Sequence, residues 1–465
     1  MKLARGQSGR SAQRGSALII TLWVAFGLVA LALYFGNSSS LDLRAADNRA
    51  ASLEAEQAIE GAARYAAYLL GRLDQPGLLP DVKTYQCEAA AVGDATFWFI
   101  GRDPKLSQIT TDLPYFSLVD EASKLNLNTA TAAMLEMLPR MTPELAGAIV
   151  DWRDADSDLT EMGAEEETYL LRTPAYYVKN APFESVDELR LLNGAEAEIL
   201  YGEDLNRNGV LDVNENDSNE SLPFDDRNGR LDPGLIEYLT VFTQEPLTTT
   251  NGTARVNIRQ NAGQNPQLRS LLETALGTSR ANQIMGQLGG GGGGPGGGGG
   301  QAVTINSVLE FYTRSRMTAD EFALIEGDIY SAPGNAAPQG LININTASEQ
   351  VLACIPGIGV ELAPSLVGYR QSNSGRMNTV TWAAEILGPQ NSAQAGRYLT
   401  GRSYQFTADI AAVGHLGRGY RRSRFVFDTS TGTPRIIFRQ DLSDFGWALG
   451  KQARLQQQQL AMNSR

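Results

Sequence analysis

The clearest chemistry in this chain lies between Asp204 and Glu215. Asp204, Asn206, Asn208, Gly209 and Glu215 fit the pattern D-x-[DN]-x-[DN]-G-x5-E throughout. Calcium is a hard cation that takes about six to eight oxygens, and this spacing brings five side chains and one backbone carbonyl around a single point. Asp204, Asn206, Asn208 and Glu215 are expected to ligate directly, Val210 through its carbonyl, and Asp212 through water; Gly209 permits the sharp turn. A second stretch keeps only the centre of the pattern. Asp226, Asn228, Gly229, Arg230 and Asp232 recur there, but Phe224 and Leu235 occupy its ends. The reading is one structural calcium ion in the first loop and a weaker second site at Asp226, Asn228, Arg230 and Asp232, with Asp225 or Asp217 in reach. Gathering carboxylates costs repulsion that the ion cancels, so binding becomes folding energy.

The remaining composition removes other chemistries. A single histidine, His415, excludes two-histidine zinc motifs, and two cysteines exclude a disulfide framework or a four-thiolate site. Cys87 and Cys354 could form one disulfide, but a buried free thiol is the preferred reading of Cys354. No nucleophile and base with a positioned third group is visible, and His415 lies in a basic hairpin turn near Arg418, Arg421, Arg422 and Arg424. The chain is therefore expected to be neither an enzyme nor a binder of a small-molecule substrate. With 39 Lys and Arg against 52 Asp and Glu, the net charge of −13 opposes a phosphate backbone.

Several elements must position these loops. Lys2, Arg5, Arg10 and Arg14 precede residues 16–36, a run without charge whose helical length matches a bilayer core. Positive residues on that side keep the N-terminus cytoplasmic and send the acidic bulk across the membrane. Apolar residues continue at three- and four-residue intervals, predicting one helix from about Ser16 to about Leu73. Strands are expected at 95–100 and 115–119, then again at 404–410, 425–427 and 436–438. Residues 125–153 align without a gap on 342–370, with Asn126/Asn343, Asn128/Asn345, Pro139/Pro356 and Arg153/Arg370 among the identities. Each copy reads as a short extended piece, a capped helix, a Pro-containing turn and a second helix. The second turn, 355–359, looks like a helix-hairpin-helix turn, whose backbone N–H groups can hold phosphate. A packed structural hairpin is preferred, because Glu349 and Glu361 flank the turn.

The leader, ending in Gly15 ahead of an apolar helix, resembles type IV pilin-like proteins, in which a prepilin peptidase cuts at that glycine. Carried over, the cut falls between Gly15 and Ser16. Ile20 stands where most such proteins have Glu, a departure shared by the K minor pseudopilins of type II secretion. The segments 124–129, 151–154, Tyr177-x-x-Asn180 and 183–189 resemble that family too. The resemblance implies an α+β fold: a transmembrane pilin helix on a small antiparallel sheet, with a large inserted helical domain carrying two helix-hairpin-helix-like repeats. The expected divisions are a leader (1–15), the membrane part of the helix (16–36), and the pilin helix with first strands (37–124). The inserted domain follows (125–400), with its calcium loops (203–232) and a glycine-rich linker (289–300), then C-terminal strands (401–445) and a frayed tail (446–465). The implied role is an inner-membrane, single-pass subunit with its bulk in the periplasm, capping a pseudopilus and partnered by the I and J minor pseudopilins. The alternative is a membrane-tethered DNA receptor using the hairpin turns.

Overall fold

The computed structural model describes residues 12–103, 114–218, 220–289, 304–373, 375 and 378–463. Residues 1–11 of the expected leader and residues 290–300 of the glycine-rich stretch lie outside the described residues. Helix α1 (Ala12–Leu70) is unbroken and includes Gly15 and Ser16 in its first turns. Along its first half Leu18, Trp23, Phe26 and Leu33 are all exposed. Among the described residues α1 alone is long and apolar enough to cross a membrane.

Past residue 50 the helix changes character. Ala51, Ala55, Ala58, Ala62 and Ala66 recur at three- and four-residue steps and are all buried, alongside Ile59 and Leu70. Side chains this small let the helix lie close to a sheet. At its upper end the contact is backbone against backbone: a Cβ on Gly414 or Gly419 would fall within 2.1 and 2.3 Å of the Ala51 main chain. Only glycine fits at those two positions.

The sheet has six strands: β1 (Ala90–Val92), β2 (Ala95–Ile100), β3 (Val119–Asp120), β4 (Gln405–Val413), β5 (Arg421–Asp428) and β6 (Arg435–Asp441). Their order is β1-β2-β4-β5-β6, with β3 also pairing β4, and every pairing is antiparallel. β2 and β3 share β4, facing Ile100 to Asp409 and Asp120 to Phe406. The strand expected at 115–119 is mostly irregular, with Phe116 making a single bridge to Ile100. All nine residues of β4 are buried because both faces of the sheet are covered. On one face α1 packs over Phe97, Phe99, Phe406, Ile410, Phe425 and Phe427. On the other, Trp98, Ile100, Ala411 and Val413 meet Ala448, Leu449 and Ala453. That second cover is a correction. The tail expected to fray is a helix over Gly450–Asn463, anchored through those apolar residues despite its glutamine-rich middle.

Residues between β3 and β4 hold most of the helices and a separate apolar core. Three short parallel ladders organise them: 125–126 with 239–240, 256–257 with 329–330, and 342–343 with 399–400. At each, an Asn side chain accepts from the N–H two residues on: Asn126 from Asn128 at 2.8 Å, Asn257 from Arg259 at 3.0 Å, and Asn343 from Asn345 at 3.0 Å. The next N–H then crosses to the closing strand, from Leu127 to Thr240, Ile258 to Tyr330 and Ile344 to Thr400. The outer two units are the pair repeated at a fixed offset. In the first, a short helix α2 (Ala132–Leu135) leads to α3 (Pro143–Arg153); in the third, α4 (Glu349–Ala353) leads to α5 (Gly359–Ser372). The equivalent arginines have one job. Arg153 donates to the Leu127 and Ala130 carbonyls, and Arg370 donates to those of Ile344 and Ala347. The middle unit escapes an ungapped alignment because its chain is longer. Asn126 and Asn343 precede the helix caps Thr131 and Ser348 by five residues, whereas Asn257 precedes Asn265 by eight.

Candidate cation-binding loop

The first acidic loop follows a short helix, 197–201, and closes on a single helical turn, 213–215. Its backbone folds around Asp204. One carboxylate oxygen accepts from Asn208 N–H at 2.9 Å and the other from Gly209 N–H at 2.8 Å. Asn208 Oδ1 accepts from Val210 N–H at 2.7 Å, and Glu215 Oε2 accepts from Asp212 N–H at 2.9 Å. The amide nitrogens of Asn206 and Asn208 both donate to Asp212 Oδ2, at 2.8 and 3.2 Å. Asp204, Asn208, Val210 and Glu215 are all nearly without solvent contact. Gly209 has φ +68, and a Cβ there would lie 2.5 Å from the Arg102 guanidinium. Its freedom is therefore required twice over, by conformation and by space.

Two arginines fasten the outside of the loop to the sheet. Arg422, on β5 and fully buried, pairs with Asp409 of β4 at 2.7 and 2.9 Å and donates to the carbonyls of Asn206 and Arg207. Arg102, just past β2, pairs with Glu237 at 2.6 Å and donates to Asn208 O at 3.1 Å, with Asp204 3.9 Å away. Asn206 also donates to Trp447 O at 3.1 Å, which joins the loop to the segment entering the tail helix. The pattern of acids could be read from sequence; its seat against the sheet could not. The partners lie 106 to 241 residues away along the chain and form no local motif.

The inner side of the loop is under-compensated. Burial, then the neighbouring Asp204, pushes the Glu215 carboxyl up to about 9. Burial also raises Asp204, against the pull of Arg102, and raises Glu203. A buried set of carboxylate and amide oxygens can hold a hard cation, which would here take the place of the N–H donors that Asp204, Asn208 and Glu215 now accept from. Among the described residues, no three Asp, Glu, His or Cys side chains already stand at metal-ligand spacing.

The second loop is built differently. Asn228 binds back to Asp226 at 2.7 Å, and Asp232 is paired with Arg140. Arg230 N–H donates to Asn228 Oδ1 at 2.7 Å, while Gly229 N–H reaches Asn216. The structure thus gives Asp232 a cationic partner that the sequence pattern did not suggest. Cys87 and Cys354 are both free, and burial pushes the Cys354 thiol up to about 12.

The turn at 355–359 is packed. Ile358 and Gly359 N–H both donate to Ile355 O. A Cβ on Gly357 would come within 3.1 Å of the Asn391 carbonyl, in the helix that follows. His415, whose role escaped the sequence, clasps α1: Nδ1 lies 2.7 Å from Glu54 and Nε2 3.0 Å from Asp47.

Residues 119–201 match the family model of the type II secretion system protein K. The type II secretion system protein K of Pseudomonas aeruginosa is 33% identical over 125 residues, 26% of this chain and 35% of that protein. The Klebsiella pneumoniae protein of that name is 39% identical over 61 residues, 13% of this chain and 19% of its own length. The matched segments thus span about a third of these relatives' length or less. The crystal structure of the GspK-GspI-GspJ complex from the enterotoxigenic Escherichia coli type 2 secretion system aligns at a TM-score of 0.35 with 10% identity. That alignment covers 83% of this chain and 97% of the other.

Proposed function

We propose, from the match of residues 119–201 to the family model of the type II secretion system protein K, that this chain acts as a minor pseudopilin. The observation that carries the reading is α1 itself. One helix presents an exposed apolar half to lipid and seats an alanine-lined half on a six-stranded sheet. In that role the membrane half anchors the chain once in the inner membrane, leader inside and acidic bulk in the periplasm. The I and J minor pseudopilins are its partners. The helical insertion, too bulky to repeat along a thin filament, caps the pseudopilus tip, and the role requires no catalysis.

In this reading calcium occupies the first loop. Asp204, Asn206, Asn208, Glu215 and the Val210 carbonyl hold it, with Asp212 through water; the ion neutralises acids that would otherwise repel. A second ion at Asp226, Asn228 and the Arg230 carbonyl would have to draw Asp232 away from Arg140, so that site is the weaker. A DNA receptor finds less support. Two N–H groups of the 355–359 turn are spent inside it, and Arg370 is buried against backbone carbonyls.

Co-expression of the full chain with a prepilin peptidase tests the assignment. Mass spectrometry should show loss of 15 residues and a new N-terminus at Ser16. An intact chain, under conditions that process a control pilin, would count against it.

A further inference from the structure

The helical insertion and the sheet do not meet flush. Two small cavities, of about 40 and 30 Å³, lie along their junction, and Lys124, Arg207, Ile236 and Arg424 line both. The larger is walled by Val186 and Phe242 of the insertion and by Val426 and Phe438 of β5 and β6. Three cations therefore converge on one narrow cleft, and none of them belongs to the ligand pattern of the acidic loop.

Arg207 is the residue whose chemistry is incomplete. It is 7% exposed, and its guanidinium lies over the rings of Tyr201 and Phe445, at 4.8 and 4.4 Å. Among the described residues the guanidinium makes one hydrogen bond, from Nη2 to Asp187 Oδ1 at 3.4 Å, and its buried Nε has no partner. The two rings fix the plane of the group, so the idle N–H is not free to swing to another acceptor. Arg424 is thinly served as well. Its Nε and Nη2 both go to Asp409 Oδ2, at 3.3 and 3.0 Å, and that oxygen already takes Arg422 Nη2 at 2.9 Å. Burial draws the Arg207 guanidinium below its ordinary pKa; Asp187 offsets part of this, and nearby Arg424 adds to it.

The acids around the cleft are well supplied by comparison. Glu121 accepts from Thr240 and Thr407 besides Lys124, and Asp187 accepts from Gln440. Asp204 accepts from two loop N–H groups, and Glu237 pairs with Arg102. The shortfall is of acceptors, and a buried guanidinium short of them costs stability until something negative joins it.

We propose that a single chloride ion binds in this cleft, accepting from the Arg207 and Arg424 guanidinium groups and facing the Lys124 ammonium. Cavities of this size hold a monatomic ion with a water beside it and exclude phosphate esters and nucleotides. Bound there, the ion bridges Arg207 of the insertion and Arg424 of β5, and so fastens the insertion to the sheet. The site does not depend on calcium at 204–215.

The test uses full-length protein in detergent, with calcium supplied in excess as its gluconate so that chloride is the only ion varied. The probe is the linewidth of the chlorine NMR signal, which reads chloride binding whether or not 204–215 takes up calcium. Saturable broadening, reversed by bromide, is expected. Arg207→Met should abolish it, and Lys124→Gln should weaken binding by about tenfold, the size of one charge-assisted hydrogen bond. Lys124→Gln keeps the test decisive if Arg207→Met fails to fold. The thermal midpoint should also be higher in sodium chloride than in sodium gluconate at equal ionic strength, by linkage, and Lys124→Gln should shrink that difference. Broadening that never saturates, or that neither substitution changes, would overturn the proposal.

Discussion

Glu215 is the residue at which the proposed calcium would couple to folding. Without a cation its folded pKa is about 9, against about 4.3 in an unfolded chain. Between these values the folded protein holds the proton more tightly than the unfolded one. Its contribution is therefore fully present below about pH 4.3 and declines as pH rises towards 9. On the proposed function calcium replaces the proton, so it should remove that decline. In chelator the thermal midpoint is expected to fall from pH 6 to pH 8, and millimolar calcium should flatten the slope. An ion at about 100 times its Kd adds roughly 2.7 kcal/mol of stability. Glu215→Gln should abolish both the calcium response and this part of the pH dependence. A midpoint indifferent to chelator would reduce the loop to a solvated turn. Arg422 makes a second prediction at this scale. Replacing it with Met leaves Asp409 with Arg424 alone, strips the Asn206 carbonyl of its donor and leaves the Arg207 carbonyl only Arg102 at 3.4 Å. Urea unfolding should show a loss of about 3–5 kcal/mol, the size expected when one partner of a buried pair is removed. The acidic and amide residues of this loop were legible in the sequence because their spacing lies within one short segment. The arginines were not, because their contacts depend on how β2 and β5 meet a segment far along the chain.

Secondary elements were legible where local pattern and burial agree. The uncharged run and the alanine steps that follow it predict one helix, and α1 is one helix, ending at Leu70 instead of Leu73. The aromatic and β-branched runs near Phe97, Phe406 and Phe425 become strands for the same reason. The tail misled, because its four consecutive glutamines hide the apolar contacts that matter, Ala448, Leu449 and Ala453. Deleting residues 446–465 should uncover Trp98, Ala411 and Val413 and remove the Trp447 carbonyl from Asn206. The truncated chain is expected to bind more of a hydrophobic dye and to melt several degrees lower, at about 2–4 °C for each kcal/mol lost. An unchanged melting curve would mean the tail helix only decorates the sheet. The middle repeat unit was hidden by three extra residues before its helix cap, since Asn257 and its ladder match the others only once the chain is folded.

For the whole molecule, the long uncharged run and the acidic charge were legible in the sequence, and the fold joins them to a sheet covered on both faces. The helical insertion is bound to that sheet along its length: Phe242 packs on Phe438 at 5.3 Å, and Asp120 accepts from Asn343 and Ser403 at 3.0 and 2.7 Å. On the proposed function such a body takes a single, non-repeating place at the end of a filament. The claim that it belongs with the I and J minor pseudopilins is tested most directly by co-purification. The full chain should be co-expressed with both partners from the same secretion system, and the detergent-purified complex weighed by light scattering. The account predicts one stable assembly containing one copy of each subunit. Separate elution of this chain from an I–J pair that still forms would contradict it.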